Sequence, residues 1–416
     1  MGFSTRHPLD MTPNKKNQQA ALVSIAVVFL GFWTAEMGRG AEAVNPQPLA
    51  PLGAETNLTA RSLVSAGDRT RLRRVMVRAS QGDPITVAVI GGSITAGAAA
   101  TQPEKRYGNW VAQWWRMKFP RAKISFVNAG IGATGSDFGA LRADRDLLSK
   151  QPDFVVAEYA VNDRNTQAAA ETLEGLVRQI LKQPNQPAVM LLFTMNRTGD
   201  NAQEWHSKIG SHYGLPMVSF RDALWPEIQS GRRKWEEVEA DQVHPNDRGH
   251  AYCAAFITAV LDEVLRELPA KDPLPSVNAL PQALLSDLFE RVALHEADAL
   301  RPAMNNGWTF DPKLSAWKSD KPGSVIEFEV DGRVVFSMHY VVKGPMGKAR
   351  VSVDGKEVRE LNAWFDQTWG GYRQLNEIAR WKEAGKHRVR FELLETKQPG
   401  NEFRILGLGT AGLQSQ

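Results

Sequence analysis

Ile85-Thr86-Val87-Ala88-Val89-Ile90-Gly91-Gly92-Ser93-Ile94-Thr95-Ala96-Gly97 decides the fold of this chain. Residues 85–90 form a β-branched, apolar run that fits one strand and is short for a helix. Such a run suits a strand buried on both faces of a parallel sheet. Two glycines then break it, and glycine permits a sharp turn and close approach to the backbone. Ser93 is thereby presented at the carboxyl end of a buried strand, where open α/β sheets bind ligands. Standing alone, Ser93 reads as a turn serine that caps the next helix. The sharper reading is a nucleophile, and Asp241-Gln242-Val243-His244-Pro245 is the stretch that decides between them.

Working outward, strand and helix patterns alternate. A helix is expected over 61–80, then the strand over 85–90. A helix through Trp110, Val111, Trp114, Trp115 and Met117 has core spacing. Strands at 124–128, 154–159, 189–193 and 217–220 interleave with helices at 141–148, 167–182, around Trp205 and at 247–268. Alternation at this spacing predicts a doubly wound, five-stranded parallel sheet over residues 81–268, with residues 44–80 as a linker and one helix. Pro273, Pro275 and Pro281 mark a connecting segment, 269–305. From 306 to 416 short alternating runs and turns take over. They include a turn at Asp331-Gly332 between strands 324–330 and 334–342, and a hairpin at Asp354-Gly355. This part is expected to be an all-β, jelly-roll-like sandwich.

The 416 residues carry a net charge of +4, with no dense basic run beyond Arg71-Leu72-Arg73-Arg74, which argues against a nucleic-acid binder. Cys253 is the single cysteine, so an intrachain disulfide, a CxxC redox site and a cysteine-based zinc site are excluded. Lys15 and Lys16 precede an apolar run from Ala20 to Trp33, followed by Ala41-Glu42-Ala43. This is the layout of a signal peptide, so residues 1–43 are set apart from the fold and a secreted or periplasmic location is expected, with an uncleaved membrane anchor as the alternative.

Three further loops carry polar residues at strand ends: Asn128 to Gly135, Ala160-Val161-Asn162-Asp163, and Asp241 to Asn246. In a doubly wound sheet they converge with Ser93 on one edge. Ester cleavage by a serine needs a base, a carboxylate that orients it and donors for the oxyanion. His244 suits the base and Asp241 the carboxylate. The Ser93 N–H, an N–H of the Gly132 loop and the Asn162 amide suit the oxyanion. Glu158, His206, His212 and His250 read as structural groups. Arg164 and Asn196 sit at strand ends within reach of a substrate, and Trp364 and Trp369 read as core residues that could also stack on sugar rings.

The four blocks, Gly91-Gly92-Ser93-Ile94-Thr95, Asn128 to Gly135, Val161-Asn162-Asp163 and Asp241-Gln242-Val243-His244, resemble in order those of the SGNH (GDSL) hydrolase family. The resemblance covers residues 80–268. It implies Ser93 as nucleophile, Asp241 and His244 completing the triad, and Ser93, Gly132 and Asn162 forming the oxyanion hole, with no metal and no cofactor. The family usually has Asp where Gly92 stands, and its oxyanion glycine falls on Gly132 or Ala133. The G-x-S-x-G elbow of the α/β hydrolases is not met, since residue 95 is Thr. A β-rich module beside such a domain resembles carbohydrate O-acetyl esterases, which implies an acylated carbohydrate as partner. A lipase or thioesterase, an O-acetyltransferase and a glycan-binding protein are the alternatives.

Overall fold

The computed structural model describes residues 56–268, 274–397 and 399–414. The expected leader, most of the expected linker and Pro273 lie outside the described residues. Among the described residues no helix is long and apolar enough to cross a membrane.

The first part of the chain runs α1 (Thr56–Ser62), β1 (Leu63–Ser65), α2 (Thr70–Gln81), β2 (Ile85–Gly91), α3 (Ser93–Ala96), α4 (Tyr107–Lys118), β3 (Ile124–Gly130), α5 (Ser136–Asp146), β4 (Phe154–Glu158), α6 (Gln167–Leu181), β5 (Ala188–Phe193), α7 (Gln203–His212), β6 (Met217–Ser219), α8 (Phe220–Gln229) and α9 (Asp247–Arg266). The sheet order is β1-β6-β5-β4-β2-β3. β2 to β6 are parallel throughout, as the alternation predicts. The sixth strand, β1, is a correction. The expected helix over 61–80 is broken: Leu63–Ser65 pairs antiparallel with β6, and Gly67 turns the chain at φ +61° into α2. Helical spacing of apolar residues on either side of that break hid a three-residue strand.

Side-chain alternation along β2 explains its apolar sequence. Val87 and Val89 face one cluster with Trp114, Trp115, Tyr252 and Phe256 of α4 and α9. Ala88 and Ile90 face the opposite cluster with Leu173, Leu176 and Val177 of α6. A strand covered by helices on both faces has no polar side to show.

The second part runs β7 (Val292–Glu296), β8 (Met304–Asn306), β9 (Thr309–Asp311), β10 (Ala316–Ser319), β11 (Val325–Val341), β12 (Lys348–Val353), β13 (Lys356–Asn362), β14 (Tyr372–Leu394) and β15 (Phe403–Ala411). Every pairing between these strands is antiparallel, so the all-β expectation holds. The strands form one continuous nine-stranded sheet. Asp331-Gly332 is not a turn. Gly332, at φ +155°, pairs with Gly385 inside the long β11–β14 ladder, and the register shifts just after it. There β11 changes its other partner from β8 to β15. Strand segments from both sides of this kink close around Ile326, Phe328, Val351, Phe391, Phe403 and Ile405. The Asp354-Gly355 hairpin forms as read, both residues at positive φ as a type I′ turn requires. Strand pairing also begins at Val292, earlier than residue 306: β7 pairs with β15 and β8 with β11, partners that no local pattern reveals.

The two parts share apolar ground. Leu141 of α5 packs with Leu288, Phe289, Val334, Phe336 and Ala411. Phe138 packs with Ala316, Met338 and Leu406. α6 straps the connecting segment down: the buried Glu174 carboxylate accepts the N–H groups of Leu284, Leu285 and Ser286 at 2.6–3.0 Å.

Candidate active site

Parallel register brings the loops level. Gly91 at the end of β2 pairs with Gly130 on one side and with Glu158 on the other. Position 91 must be glycine, because a Cβ there would stand 2.1 Å from Thr95 Oγ1 and 2.3 Å from the Glu158 carbonyl. The chain can then turn at once into α3, whose first residue is Ser93.

Ser93 Oγ lies 2.8 Å from His244 Nε2, and His244 Nδ1 lies 2.7 Å from Asp241 Oδ2. Asp241 Oδ1 accepts the N–H groups of Val243 and His244 at 2.8 and 2.9 Å, which fixes the carboxylate within its own turn. Trp235 Nε1 holds the Asp241 carbonyl at 2.6 Å, and Ala240 N donates to the His244 carbonyl at 2.8 Å. Burial of Asp241 raises its pKa, but the His244 ring and the two N–H donors outweigh this and hold it below the ordinary carboxylate value. An ionised Asp241 fixes the imidazole proton on Nδ1. Nε2 is left as an acceptor facing the serine hydroxyl, the polarity a base needs.

Gly132 and Asn162 flank Ser93. A Cβ at Gly132 would sit 3.8 Å from Ser93 Cβ. Ala133 follows at φ +56°, a left-handed conformation that few residues other than glycine adopt. Position 92 faces Asn162, where a Cβ would meet the amide oxygen at 2.2 Å. Glycine at 92 leaves the Asn162 amide room to sit against the chain. Asn162 Oδ1 is buried without a partner, and Nδ2 donates to no described residue. The Asn162 and Asp163 N–H groups both bond to the Tyr159 carbonyl, which makes the tight turn that carries the amide. Three donors around one serine can stabilise an oxyanion formed on a carbonyl that Ser93 attacks.

The structure brings Ser93, Asp241, His244, Gly132 and Asn162 together. His206 Nε2 bonds Asp163 at 3.1 Å, His212 a carbonyl at 2.8 Å and His250 the Ala98 carbonyl at 3.0 Å, and none of the three bonds to Ser93 or Asp241. Asn196 caps its own turn through Thr198 and Asp200. Arg164 is exposed two residues beyond Asn162. Trp364 packs against the β-domain core, while Trp369 stacks on Tyr372 with ring centres 5.5 Å apart.

Sequence reading missed two features. Asp163 behind Asn162 accepts the Ser136 N–H and meets His206, tying the Asn162 turn to α5 and α7. A cleft of about 110 Å³ also opens beside the Gly132 loop, between Ala133, Gly135 and Asp137 on one side and Tyr372, Arg373 and Gln374 on the other. Asp137 is raised to about 6 by burial and by neighbouring Asp163. No sequence signal links residues 133–137 to 372–374, since only the domain packing joins them.

The GDSL-like Lipase/Acylhydrolase family matches residues 89–252, a span that includes all five grouped residues. Among solved structures the chain is similar to a two-domain esterase (CEX) active on acetylated mannans. Identity is 34% over 86% of this chain and 99% of that one, with a TM-score of 0.80. The same esterase co-crystallised with mannopentaose gives 34% identity, the same coverage and a TM-score of 0.79. A comparison with curated proteins finds no match. A relative one-third identical through both domains, together with the family match from strand β2 to helix α9, places the chain in the GDSL (SGNH) lipase/acylhydrolase family.

Proposed function

We propose that this hydrolase is a serine esterase that removes O-acetyl groups from a polysaccharide. The observation that carries the chemistry is the unbroken relay Ser93 Oγ, His244 Nε2, His244 Nδ1, Asp241 Oδ2, at 2.8 and 2.7 Å. In the first half-reaction Ser93 Oγ attacks the ester carbonyl carbon as its proton passes to Nε2. The Ser93 N–H, the Gly132 N–H and the Asn162 amide receive the oxyanion. Collapse breaks the bond to the sugar oxygen, which leaves with the proton from Nε2. In the second half-reaction water gives a proton to Nε2, attacks the acyl-enzyme and releases acetate.

The substrate class is supported by similarity to the acetylated-mannan esterase through both domains, and by the cleft between the Gly132 loop and Tyr372-Arg373. An acyl sugar entering beside Gly132 would be held by residues of both parts of the chain. The sequence of residues 15–43 supports export, which N-terminal sequencing of the mature protein checks.

Acetate release from acetylated mannan, xylan, xyloglucan and pectin tests the substrate, beside p-nitrophenyl esters of increasing chain length. The acetyl ester is expected to be the best small substrate and an acetylated glycan the best polymer. Faster turnover of long acyl chains would favour a lipase and sink the carbohydrate reading. Ser93→Ala is expected to lower kcat by ~10⁴ or more, and retained activity would place the nucleophile elsewhere.

A further inference from the structure

Hydrolysis through Ser93 and His244 leaves a fully buried acid without a task. Glu158 ends β4 opposite Gly91, four residues before Asn162. Its Oε1 accepts from Thr194 Oγ1 at 2.7 Å, just past β5. Its Oε2 lies 3.4 Å from Thr95 Oγ1, which lies 2.8 Å from the Tyr107 hydroxyl. Thr95 belongs to α3, two residues after Ser93. Tyr107 opens α4 and its ring stacks on His250 of α9, the helix that begins three residues after His244. The His250 Nε2 in turn meets the Ala98 carbonyl at 3.0 Å, directly behind α3. One carboxyl therefore joins the helix of the serine to the strand of the amide and to the helix behind the histidine.

We propose that Glu158 is a positioning residue for the hydrolytic step, holding α3 through Thr95 so that Ser93 Oγ stays in line with His244 Nε2. The inference rests on the roles given above to Ser93 and His244. The chain of hydroxyls has two polarities. With Glu158 ionised, the Tyr107 hydroxyl donates to Thr95, Thr95 and Thr194 donate to the carboxylate, and every proton has an acceptor. With Glu158 protonated on Oε2, the carboxyl donates to Thr95, Thr95 turns its proton to Tyr107, and the tyrosine proton has no acceptor among the described residues. Burial pushes the Glu158 carboxyl up to about 7, against the hydrogen bonds from Thr194 and Thr95 that favour the ion. The acidic groups that face it are Asp163 from the loop after β4, Tyr107 from α4 and Cys253 from α9, the last two themselves pushed up by burial. The two polarities therefore exchange near neutral pH, and the ionised one anchors α3.

The test is Glu158→Gln, with kcat and KM for p-nitrophenyl acetate followed across the neutral range and Ser93→Ala measured alongside. Glutamine keeps the volume and mimics the protonated acid. KM is expected to stay within about twofold, while kcat at the alkaline end falls about tenfold or more. The wild-type to variant ratio in kcat is expected to shrink toward one at the acid end. A merely structural role would give a ratio that does not change with pH, and that result overturns the proposal, as would wild-type kcat throughout. Should Glu158→Gln fail to fold, Thr95→Val cuts the same relay from α3 and must give the same pH-dependent ratio. An unchanged profile there is equally fatal. If Ser93→Ala is dead and Glu158→Gln is normal, this inference alone fails, whereas an active Ser93→Ala sinks the parent reading with it.

Discussion

Asp241→Asn removes one charge and leaves the shape of the loop. The wild-type carboxylate has two separate duties. Oδ1 accepts the Val243 and His244 N–H groups, and Oδ2 accepts the His244 Nδ1 proton. An asparagine oxygen in the Oδ1 position keeps the first pair. The opposite amide orientation would face two N–H donors with a third, leaving donors unsatisfied at about 1–3 kcal/mol each. The amide nitrogen must then stand at the Oδ2 position, as a donor toward Nδ1. The ring answers by carrying its proton on Nε2, where it points at Ser93 Oγ 2.8 Å away and cannot take the serine proton. For serine triads this wrong tautomer lowers kcat by about 10⁴, or about 5.4 kcal/mol of barrier. Initial rates on p-nitrophenyl acetate measure it, and a melt by circular dichroism checks that the variant is folded. A folded Asp241→Asn within tenfold of wild type would refute the assignment of the carboxylate. The stability sign is also set. Asp241 is held below its ordinary value in the fold, despite burial that pulls the other way. Its contribution is therefore present above the unfolded pKa of about 3.9 and is lost as pH falls through the lower folded value. The wild-type advantage in Tm over the variant should hold at neutral pH and fade only below about pH 4.

Three further outcomes follow from the same structure. Gly92→Ala puts a Cβ 2.2 Å from the Asn162 amide oxygen and must displace that amide. The loss of one oxyanion donor predicts a fall in kcat of ~10²–10³ with little change in KM, and a wild-type kcat would remove Asn162 from the site. Phe289 is fully buried among Leu141, Val334 and Phe336 where the two parts of the chain meet. Phe289→Ala should cost about 3–5 kcal/mol in urea unfolding, and a loss below ~1 kcal/mol would mean that the junction is loosely packed. Asp137 is raised to about 6 by burial and by Asp163, so its folded pKa exceeds its unfolded value and its ionisation opposes folding. The Tm of Asp137→Asn relative to wild type should therefore climb between about pH 4 and 6 and then level off, and a flat difference would contradict that environment.

Much of this fold was legible because the physical signal was local. A strand buried on both faces has to be apolar at every position, and Val87 to Ile90 could hardly be anything else. The same residue economy exposed the site: a serine after two glycines and a histidine three residues after an aspartate are short patterns with a geometric meaning. What stayed hidden was decided by partners distant in sequence. Leu63–Ser65 is a strand only because β6 offers an open edge. Asp331-Gly332 carries a turn signature, yet Gly385 waits opposite it and the ladder runs through the kink. The cleft beside Gly132 needs Tyr372 and Arg373, which no periodicity ties to residue 133.

In the proposed mechanism a serine, two N–H groups and an amide act on one atom, and the sheet order is what would bring them level. Leaving β1 aside, the chain winds from β2 outward to β3, returns to the other side of β2 for β4, and continues to β5 and β6. The direction of winding reverses at β2, so the chain after β2 runs to α4 on one face while the chain after β4 runs to α6 on the other, and a crevice opens above the strand ends. Ser93, Gly132 and Asn162 come from those three loops. Their heights are set by the pairing of Gly91 with both Gly130 and Glu158. A slip of one residue in either pair would move a donor by about 3.3 Å. That is a full hydrogen-bond length, so the oxyanion would lose the donor altogether. His244 enters from the loop just before α9, which packs across α4 on one face of the sheet. The site therefore depends on register as well as on side-chain identity. Changes to buried residues of β3 or β4 that preserve stability but shift their pairing with β2 should lower kcat by the ~10²–10³ expected for loss of one oxyanion donor.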